Sequence, residues 1–280
     1  MNTGRLVPVS DAAYYVIELG SGSPTLFLHG GGPGSSGWTD FGDVAPLFAA
    51  DRRCYLVDLL QYGRSAKPVI DGPMWSFHAA KLEQLLDGLE LERADLVCNS
   101  WGGSMGLCLA ARHPGRVRSV TITGSVPVLD APGGLTDGVR RGRQARDEYY
   151  GGTGPSLEKM HDLMARLEWF DAGKISASTV ELRYQQSLGA EEIAVAGHSD
   201  SARGTPEDLS ERLAEIECPV LFFWGMHDPF VPPEYALLLA RRVKSGQVHV
   251  LDRASHHPQE ERPRPYHRIV SAFLETAGTS

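Results

Sequence analysis

The serine at position 100 has neighbours that suit a nucleophile. It follows the apolar run Asp95–Asn99 and precedes Trp101, Gly102 and Gly103. A strand that ends in a serine and passes at once into a helix predicts a sharp turn, which holds the hydroxyl out at the edge of a sheet. Because the backbone is crowded in such a turn, the neighbouring residues must be small. A plain helix start of the Ser-x-Gly type is also common, so this motif alone leaves the nucleophile open.

An aspartate and a histidine follow two later apolar runs. Asp228 comes after Val220–Trp224, and His256 comes shortly after Val248–Leu251. A histidine can take the proton of a serine hydroxyl, and an aspartate can orient the imidazole and stabilise its charged form. An aspartate before proline is also a routine turn residue, and a histidine in a loop can be a solvated bystander.

A glycine-rich run, residues 29–34 (HGGGPG), follows an early apolar segment. Glycines let backbone N–H groups approach a ligand closely. The N–H groups of Gly31 and Trp101 are therefore the two predicted donors to the oxyanion that forms when a serine attacks a carbonyl. A phosphate-binding loop is the rival interpretation. The sequence disfavours it, because no Gly-Lys-Ser/Thr follows and the spacing is not Gly-x-Gly-x-x-Gly.

The elements that must position these groups alternate along the chain. Short apolar runs without polar alternation are typical of parallel strands buried on both faces, and amphipathic helical segments separate them. The predicted strands are Tyr14–Glu18, Thr25–His29, Arg53–Asp58, Asp95–Asn99, Val117–Thr123, Val220–Trp224 and Val248–Leu251. The predicted helices are Gly37–Ala50, Ser76–Glu90, Ser100–His113, Pro233–Lys244 and Pro265–Ala277. This order predicts an α/β fold with a mostly parallel central sheet, whose carboxyl edge carries the site.

The alternation stops after Ser125, and no strand is predicted again before Pro219. Apolar residues at helical spacing lie between these points: Leu157, Met160, Leu163, Met164, Leu167 and Phe170. We therefore expect residues 126–213 to form a helical cap, with residues 1–125 and 214–280 as the core.

Composition excludes several classes of function. The 280 residues carry a net charge of −8, which disfavours nucleic-acid binding because phosphate affinity requires clustered Lys and Arg. No apolar run reaches the roughly 18–20 residues of a membrane span, and the amino-terminal ten residues lack the apolar core of a secretion signal. Scattered cysteines predict buried free thiols and a cytoplasmic location: Cys54, Cys98, Cys108 and Cys218. The His256-His257 pair has no companion ligands at metal-binding spacing, so neither a metal nor another cofactor is predicted.

The chain order Ser100, Asp228, His256 resembles that of the α/β-hydrolases, in which serine, acid and histidine follow each other in this way. The helical insertion between the serine and the acid also fits that family. The resemblance implies the α/β-hydrolase fold, a catalytic triad of these three residues and a small-molecule substrate. Relatives with such a cap are often dimers or larger, so it also implies a homodimer or a higher homo-oligomer.

Residues 29–38 (HGGGPGSSGW) are similar to the corresponding run of the meta-cleavage product hydrolases. These enzymes hydrolyse a carbon–carbon bond in 2-hydroxy-6-oxo-dienoates, the ring-opened products of aromatic and steroid degradation. Asn99 and the cap segments Phe170–Ala172 and Val180–Tyr184 also resemble that family. The resemblance implies that Arg183 binds the carboxylate end of the dienoate. The candidate substrate contacts are Gly32, Asp40, Asn99, Arg183 and His257.

Some positions depart from that family. Asp40 stands where asparagine is usual, His257 where tryptophan is common, and Ser255 and Cys98 replace glycines. The segment around Asn99 also resembles the proline iminopeptidases, which carry acidic residues in their cap. A carboxylesterase or lactonase with the same triad, an iminopeptidase-like enzyme and a non-catalytic ligand receptor therefore remain as alternatives, because fold and triad do not fix the substrate.

Overall fold

The computed structural model describes residues 3–128, 135–189 and 202–277. One sheet of eight strands runs through it in the order β1-β2-β4-β3-β6-β7-β9-β10, and a second, two-stranded sheet pairs β5 with β8. In chain order the strands are β1 (Arg5–Val9), β2 (Ala12–Leu19), β3 (Ser23–Leu28), β4 (Arg52–Asp58), β5 (Ile70–Pro73), β6 (Ala94–Asn99), β7 (Val117–Thr123), β8 (Arg203–Thr205), β9 (Val220–Gly225) and β10 (Gly246–Leu251).

The central sheet is mostly parallel, as the sequence predicts. The strands β4, β3, β6, β7, β9 and β10 run parallel to one another. At one edge of the sheet, β2 pairs antiparallel with β4 and β1 pairs antiparallel with β2. All seven predicted strands are present, with ends within two residues of the predicted ones. The strands β6 and β9, which lead to two of the candidate catalytic residues, are buried along their whole length, so these runs show no polar alternation.

Helices cover both faces of this sheet. In chain order they are α1 (Gly37–Phe41), α2 (Ala45–Phe48), α3 (Met74–Gly88), α4 (Trp101–Arg112), α5 (Leu135–Tyr150), α6 (Leu157–Leu167), α7 (Ala177–Gln186), α8 (Glu234–Ala240), α9 (Pro258–Glu261) and α10 (Pro263–Ala277). One apolar cluster packs α3, α4 and α8 against one face, and a second packs α1, α2 and α10 against the other. Each fully buried large apolar side chain in these layers contributes roughly 1.5–3 kcal/mol.

The single helix predicted over Gly37–Ala50 is wrong, because two short helices, α1 and α2, occupy this range. The first ends at the cap residue Gly42. Pro46 lies in the first turn of the second, where its missing N–H is tolerated; within a longer helix it would break the hydrogen-bond ladder.

The segment predicted to be a helical cap contains the helices α5, α6 and α7, which share an apolar cluster of their own. Residues 129–134 and 190–201 of that segment lie outside the described residues. The expectation of no strand there is wrong, because β8 pairs with β5 through Ile70↔Arg203 and Pro73↔Thr205. A strand of three residues is too short to show a period in the sequence. In the described ranges, none of the helices has the length and apolar character that crossing a bilayer requires.

Candidate active site

Ser100 occupies the sharp turn between β6 and α4. Its φ of 49° and ψ of −115° lie in a region that residues other than glycine rarely adopt, at a cost of order 1–3 kcal/mol. Its N–H donates to the carbonyl of Thr123 at the end of the neighbouring strand β7, at 2.7 Å. The strained backbone is therefore fixed by the adjacent strand, and the serine follows directly after a buried strand.

The two glycines after Trp101 are required by close packing. A side-chain carbon at Gly102 would lie 2.3 Å from the Leu28 carbonyl oxygen, and one at Gly103 would lie 1.9 Å from Ser125 Oγ. Distances this short are not tolerated, so only glycine lets α4 start this close to β3 and to the chain after β7.

The Asp228 carboxylate receives hydrogen bonds on both of its oxygens. Oδ2 lies 2.8 Å from His256 Nδ1, and Oδ1 accepts the N–H groups of Phe230 at 2.8 Å and Val231 at 3.2 Å. The aspartate is therefore held in one orientation, and the bond to Nδ1 leaves His256 Nε2 as the nitrogen directed away from it. The Phe230 ring packs on the imidazole, with 4.5 Å between ring centroids.

The His256–Asp228 pair lies against the end of β7. A side-chain carbon at Gly124, which follows this strand with a φ of +59°, would lie 2.5 Å from His256 Cε1 and 2.9 Å from Asp228 Oδ2. The preceding residue is Thr123, whose carbonyl accepts the Ser100 N–H. The serine turn and the histidine–aspartate pair thus meet at one strand end.

The glycine-rich loop lies beside the serine. A side-chain carbon at Gly30 would lie 3.4 Å from Ser100 Cβ, and one at Gly31 would lie 2.6 Å from the Trp101 ring. The Gly30 N–H donates to Asp40 Oδ2 at 2.8 Å, and the Gly31 carbonyl accepts the hydroxyl of Tyr62 at 3.0 Å. The loop is therefore fixed on both sides.

The accessible part of this region is formed by residues of the glycine loop and the serine turn. Gly31, Gly32, Ser100 and Trp101 are partly exposed, whereas most residues around them are buried. Asn99 is fully buried beside the serine, and within the described part of the chain neither its Nδ2 nor its Oδ1 has a hydrogen-bond partner. Its amide therefore has hydrogen-bonding capacity that the described residues do not use.

A closed cluster of charged side chains adjoins the loop. Arg183 is fully buried; its Nη1 and Nη2 donate to the two carboxylate oxygens of Glu168 at 3.1 and 2.9 Å. Nε and Nη2 also donate to the Pro33 carbonyl at 3.2 and 3.1 Å. The predicted contact between Arg183 and a substrate carboxylate would therefore require Glu168 to leave the guanidinium.

The same cluster contains His257, Glu260 and Asp40, all buried. His257 Nδ1 is hydrogen-bonded to a Glu260 carboxylate oxygen. Burial opposes the charge of His257, yet Glu168 and Glu260 outweigh it and raise the pKa of His257 to about 9. Burial also raises the pKa of Glu260 to about 7. For Asp40, burial is outweighed by His257 and Arg183, which hold its pKa below the ordinary value.

Ligand atoms of Asp40, His257 and Glu260 lie within 4.8 Å of one another, a spacing that could suit a metal ion. Each of these three side chains, however, already has a hydrogen-bond or charged partner within the protein. Asp40 accepts the Gly30 N–H and lies 3.9 Å from Arg183, while His257 is held as a cation between carboxylates. Asp40, His257 and Glu260 therefore form an ion-pair network within the protein, which suits them better than binding a metal cation.

Comparisons with known proteins agree with this architecture. Residues 24–263 match the model of the α/β-hydrolase-fold family. The chain belongs to this family. It is 32% identical to 2-hydroxymuconate semialdehyde hydrolase of Pseudomonas sp. (strain CF600), over 98% of this chain and 94% of that one. It is 31% identical to a 2-hydroxy-6-oxononadienedioate/2-hydroxy-6-oxononatrienedioate hydrolase of Cupriavidus pinatubonensis, over 97% and 95%.

Solved structures show the same fold. The 2-hydroxy-6-oxo-6-phenylhexa-2,4-dienoate hydrolase of Rhodococcus sp. strain RHA1 matches with a TM-score of 0.77 at 22% identity, over 99% of this chain and 98% of that one. A serine hydrolase of Cycloclasticus zankles matches with a TM-score of 0.83 at 23% identity, over 98% of both chains. The predicted fold and the predicted resemblance to the meta-cleavage product hydrolases are therefore confirmed, and the chain is a hydrolase.

Two of the unusual residues of this hydrolase have structural explanations. Cys98 Sγ would lie 3.0 Å from a side-chain carbon at Gly106, so a glycine in α4 makes room for the cysteine. Ser255 donates its N–H to Glu261 at 2.6 Å and its hydroxyl to the His227 carbonyl at 3.3 Å, which anchors the loop just before His256.

Three charged residues near the site were not predicted from the sequence: Glu168, Glu260 and Arg203. Glu260 lies three positions after His257, and Glu168 lies two positions before the segment Phe170–Ala172 that resembles the family. Their proximity to these motifs was the available signal. Arg203 gave none, because it lies in a segment without helical or strand periodicity. The structure brings its guanidinium over the rings of Trp101 and Tyr62, at 5.6 and 5.5 Å from their centroids.

Proposed function

We propose that this hydrolase cleaves a carbon–carbon bond in a 2-hydroxy-6-oxo-dienoate, using Ser100, His256 and Asp228 as its catalytic triad. The observation that carries the proposal is the meeting of the strained serine turn with the hydrogen-bonded His256–Asp228 pair at the end of β7. A nucleophile, a base and a group that orients the base are the parts that acyl transfer requires.

The attack on the ketone follows from this arrangement. His256 Nε2 takes the proton of Ser100 Oγ as the oxygen adds to the ketone carbon, and Asp228 stabilises the imidazolium that results. The oxyanion accepts the N–H groups of Gly31 and Trp101, two partly exposed residues of the glycine loop and the serine turn. Removing one such donor typically costs about 3–4 kcal/mol of transition-state stabilisation.

Breaking a carbon–carbon bond adds one requirement, because a carbanion is a poor leaving group. The proton of the enol hydroxyl must first move to the carbon next to the ketone, which gives a diketone. The bond between these two carbons then breaks after serine attack, and its electron pair passes to the first carbonyl to give a 2-hydroxydienoate. One water molecule hydrolyses the acyl-serine that remains. His256 serves these proton transfers as a general base and general acid.

Asn99 is the residue we assign to the enol oxygen. Its amide is fully buried beside Ser100 and lacks a partner among the described residues, and a buried amide without a hydrogen bond is costly. An amide can donate to the oxygen in either the enol or the keto form. Gly32 and His257 lie in the same region and remain predicted substrate contacts.

The names of the relatives support this substrate class. The relatives from Pseudomonas sp. (strain CF600) and Cupriavidus pinatubonensis are both named for hydrolysing compounds of the dienoate type. The similarity extends over nearly the whole of each chain, including the cap. The four cysteines are buried and unpaired, which supports the predicted cytoplasmic location. We retain the homodimer or larger homo-oligomer as a prediction.

A carboxylesterase is the second candidate, and the Arg183–Glu168 pair favours it. The Arg183 guanidinium already donates to both carboxylate oxygens of Glu168. It therefore does not require a carboxylate on the substrate. An ester has a better leaving group and requires only the triad and the two backbone donors.

Absorbance spectroscopy distinguishes the two activities. Dienoates with methyl, phenyl and carboxylate-bearing tails, together with p-nitrophenyl esters, would be incubated with the wild-type protein and with Ser100→Ala. We expect the visible absorbance of at least one dienoate to be lost with a higher kcat/KM than any simple ester gives. Inert dienoates beside rapid ester hydrolysis would establish the esterase instead.

A further inference from the structure

The backbone carbonyls on both sides of the Gly31 N–H are hydrogen-bonded to buried rings. The first is the Gly30 carbonyl, which accepts the Nδ1–H of His29 at 2.7 Å. His29 Nε2 accepts the Leu59 N–H at 2.9 Å, which leaves the ring hydrogen on Nδ1. The Gly30 carbonyl and the Gly31 N–H belong to one planar trans peptide unit and point in opposite directions. The bond to His29 therefore helps to fix the direction of the Gly31 N–H.

Tyr62 holds the second carbonyl. Its hydroxyl donates to the Gly31 carbonyl at 3.0 Å, and its side chain is buried. A glycine has the freest backbone of all residues, so its orientation depends on such bonds. With a hydrogen bond on each side, the Gly31 backbone has little freedom to rotate.

Arg203 determines which way the Tyr62 hydroxyl donates. Its Nη1 donates to the Tyr62 oxygen at 3.2 Å. A guanidinium can only donate hydrogen bonds, whereas a hydroxyl both accepts and donates. The Tyr62 oxygen therefore accepts from Arg203, and its own hydrogen is directed to the Gly31 carbonyl. Both side chains are buried, and hydrogen bonds in series strengthen one another where water is excluded.

The same guanidinium packs on the second predicted donor residue. It lies over the rings of Tyr62 and Trp101, at 5.5 and 5.6 Å from their centroids. A side-chain carbon at Gly31 would lie 2.6 Å from the Trp101 ring. Arg203, Tyr62, Trp101 and Gly31 therefore form one packed unit that contains both predicted oxyanion donors.

Arg203 is held in place by the core, although it lies in the segment predicted to be the cap. It begins β8 and pairs with Ile70 of β5. The preceding residue, Ala202, accepts a hydrogen bond on its carbonyl from Gln61 Nε2 at 2.7 Å. Because Gln61 directly precedes Tyr62, two neighbouring hydrogen bonds fix the arginine relative to the tyrosine.

We propose that the Tyr62 hydroxyl, oriented by Arg203, positions the Gly31 N–H for the oxyanion. This inference rests on the proposed Ser100 nucleophile and its Gly31 donor, and it does not depend on which bond the enzyme cleaves. A donor that is already in place requires no reorganisation when the oxyanion forms. Loss of the hydroxyl therefore affects the transition state more than the binding of the uncharged substrate.

Tyr62→Phe tests this role, because it removes one oxygen and keeps the ring. The substrate is p-nitrophenyl butyrate, since ester hydrolysis passes through the same kind of oxyanion. We expect kcat to fall about 10- to 100-fold with KM nearly unchanged, because a displaced donor loses much of its effect. The adduct of 1,1,1-trifluoro-2-hexanone with a serine carries an oxyanion, so its inhibition constant should rise by the factor by which kcat/KM falls.

Arg203 is tested by two variants. Arg203→Met removes the donor to Tyr62 and should lower kcat by about 10-fold, a part of the loss that a missing oxyanion donor causes. Arg203→Lys can still donate and should recover part of the activity. Combining Tyr62→Phe with Arg203→Met should lower kcat little beyond Tyr62→Phe alone, because Arg203 then has no hydroxyl to orient.

Tyr15→Phe is the matched control. The Tyr15 hydroxyl also accepts a hydrogen bond from an arginine, Arg64, at 2.7 Å, and that guanidinium lies 4.9 Å from the centroid of the Tyr15 ring. Tyr15 belongs to β2, next to the edge strand of the sheet. Its replacement should leave kcat and the inhibition constant at the wild-type values. Thermal denaturation of each variant would establish that it is folded.

Two results would overturn the role of Tyr62. One is a folded Tyr62→Phe variant with the same kcat as Tyr15→Phe. The other is a loss confined to KM, with inhibition by the trifluoromethyl ketone unchanged. Wild-type protein that hydrolyses the ester but no dienoate would refute only the proposed reaction, and the kinetics of Tyr62→Phe would still decide the role of the hydroxyl. Full activity in Ser100→Ala would refute the triad and this role together.

Discussion

The carboxylate of Glu168 accepts both outer nitrogens of Arg183, at 2.9 and 3.1 Å, in a region that solvent does not reach. The two residues come from the predicted cap, and the guanidinium also binds the Pro33 carbonyl in the core. The pair therefore ties the end of α6 and the helix α7 to the glycine loop. These bonds fix α7 against the loop that contains Pro33.

Glu168→Gln should destabilise the protein. Removing one charge of a buried pair leaves the other uncompensated, which costs up to about 3–5 kcal/mol when all hydrogen bonds are lost; the retained amide should reduce this to roughly 1–3 kcal/mol. Urea unfolding would measure the change. Glu148→Gln is the control, because Glu148 forms an exposed pair with Arg166 and its loss should not be detectable. Equal unfolding curves for wild type and Glu168→Gln would contradict the role of the pair.

Ser100→Ala should abolish turnover and leave the melting temperature at or above that of the wild type, because only the hydroxyl is lost. His256→Ala should be about as damaging, and the double variant should be no worse than either single one, since the two groups act as a unit. Steady-state kinetics on the best substrate would measure this. Losses that multiply in the double variant would indicate that the two residues act independently.

Asp228→Asn should retain measurable activity but lower kcat by about 10⁴-fold, the usual effect of losing the charged orienting group while the oxyanion donors remain. The side chain of the variant can still accept the N–H groups of Phe230 and Val231, so the loop should keep its shape. Circular dichroism and kcat would be measured together. A variant as active as the wild type would mean that another acid orients His256.

Gly102→Ala should impair both folding and activity, because the added carbon meets a backbone oxygen of β3 at 2.3 Å and backbone cannot move aside cheaply. We expect a loss of about 1–3 kcal/mol and a lower kcat from displacement of the serine turn. Gly115→Ala is the matched control, since nothing lies within 4 Å of the added carbon there. Thermal melts of the two variants would be compared, and similar melts would argue against close packing at Gly102.

Stability should fall between neutral and alkaline pH because of His257. The folded protein raises its pKa from 6.5 to about 9, so the protonated ring stabilises the fold. This contribution is complete below pH 6.5 and is lost as the pH rises through 9. The raised pKa of Glu260, about 7, acts in the same direction. Unfolding free energies from pH 6 to 10 should decline less steeply in His257→Gln than in wild type or in the exposed control His161→Gln. Parallel curves for all three would refute a raised pKa for His257.

The sequence by itself predicted seven of the eight strands of the central sheet, all except β1, and the catalytic candidates. Strands buried on both faces show as uninterrupted apolar runs, and β7 is predicted with its observed ends, Val117 and Thr123. The serine and the acid each follow such a run, whereas the histidine follows β10, which is exposed or half-buried along its length. Their order along the chain already indicates the family. The glycines that the turn requires, Gly102 and Gly103, can also be recognised in the sequence, because they lie within three residues of Ser100.

Only the tertiary structure decided how the charges around the serine are paired. Arg183 and the Pro33 carbonyl are 150 positions apart in the chain, and the pairing of Arg183 with Glu168 depends on how α7 packs against the end of α6. Arg203 reaches Trp101 only because β8 pairs with β5. Such contacts arise from the packing of distant segments, which leaves no period or spacing in the sequence. The sequence could therefore suggest candidate catalytic residues, whereas the pairing of each charged side chain with its neighbours required the folded chain.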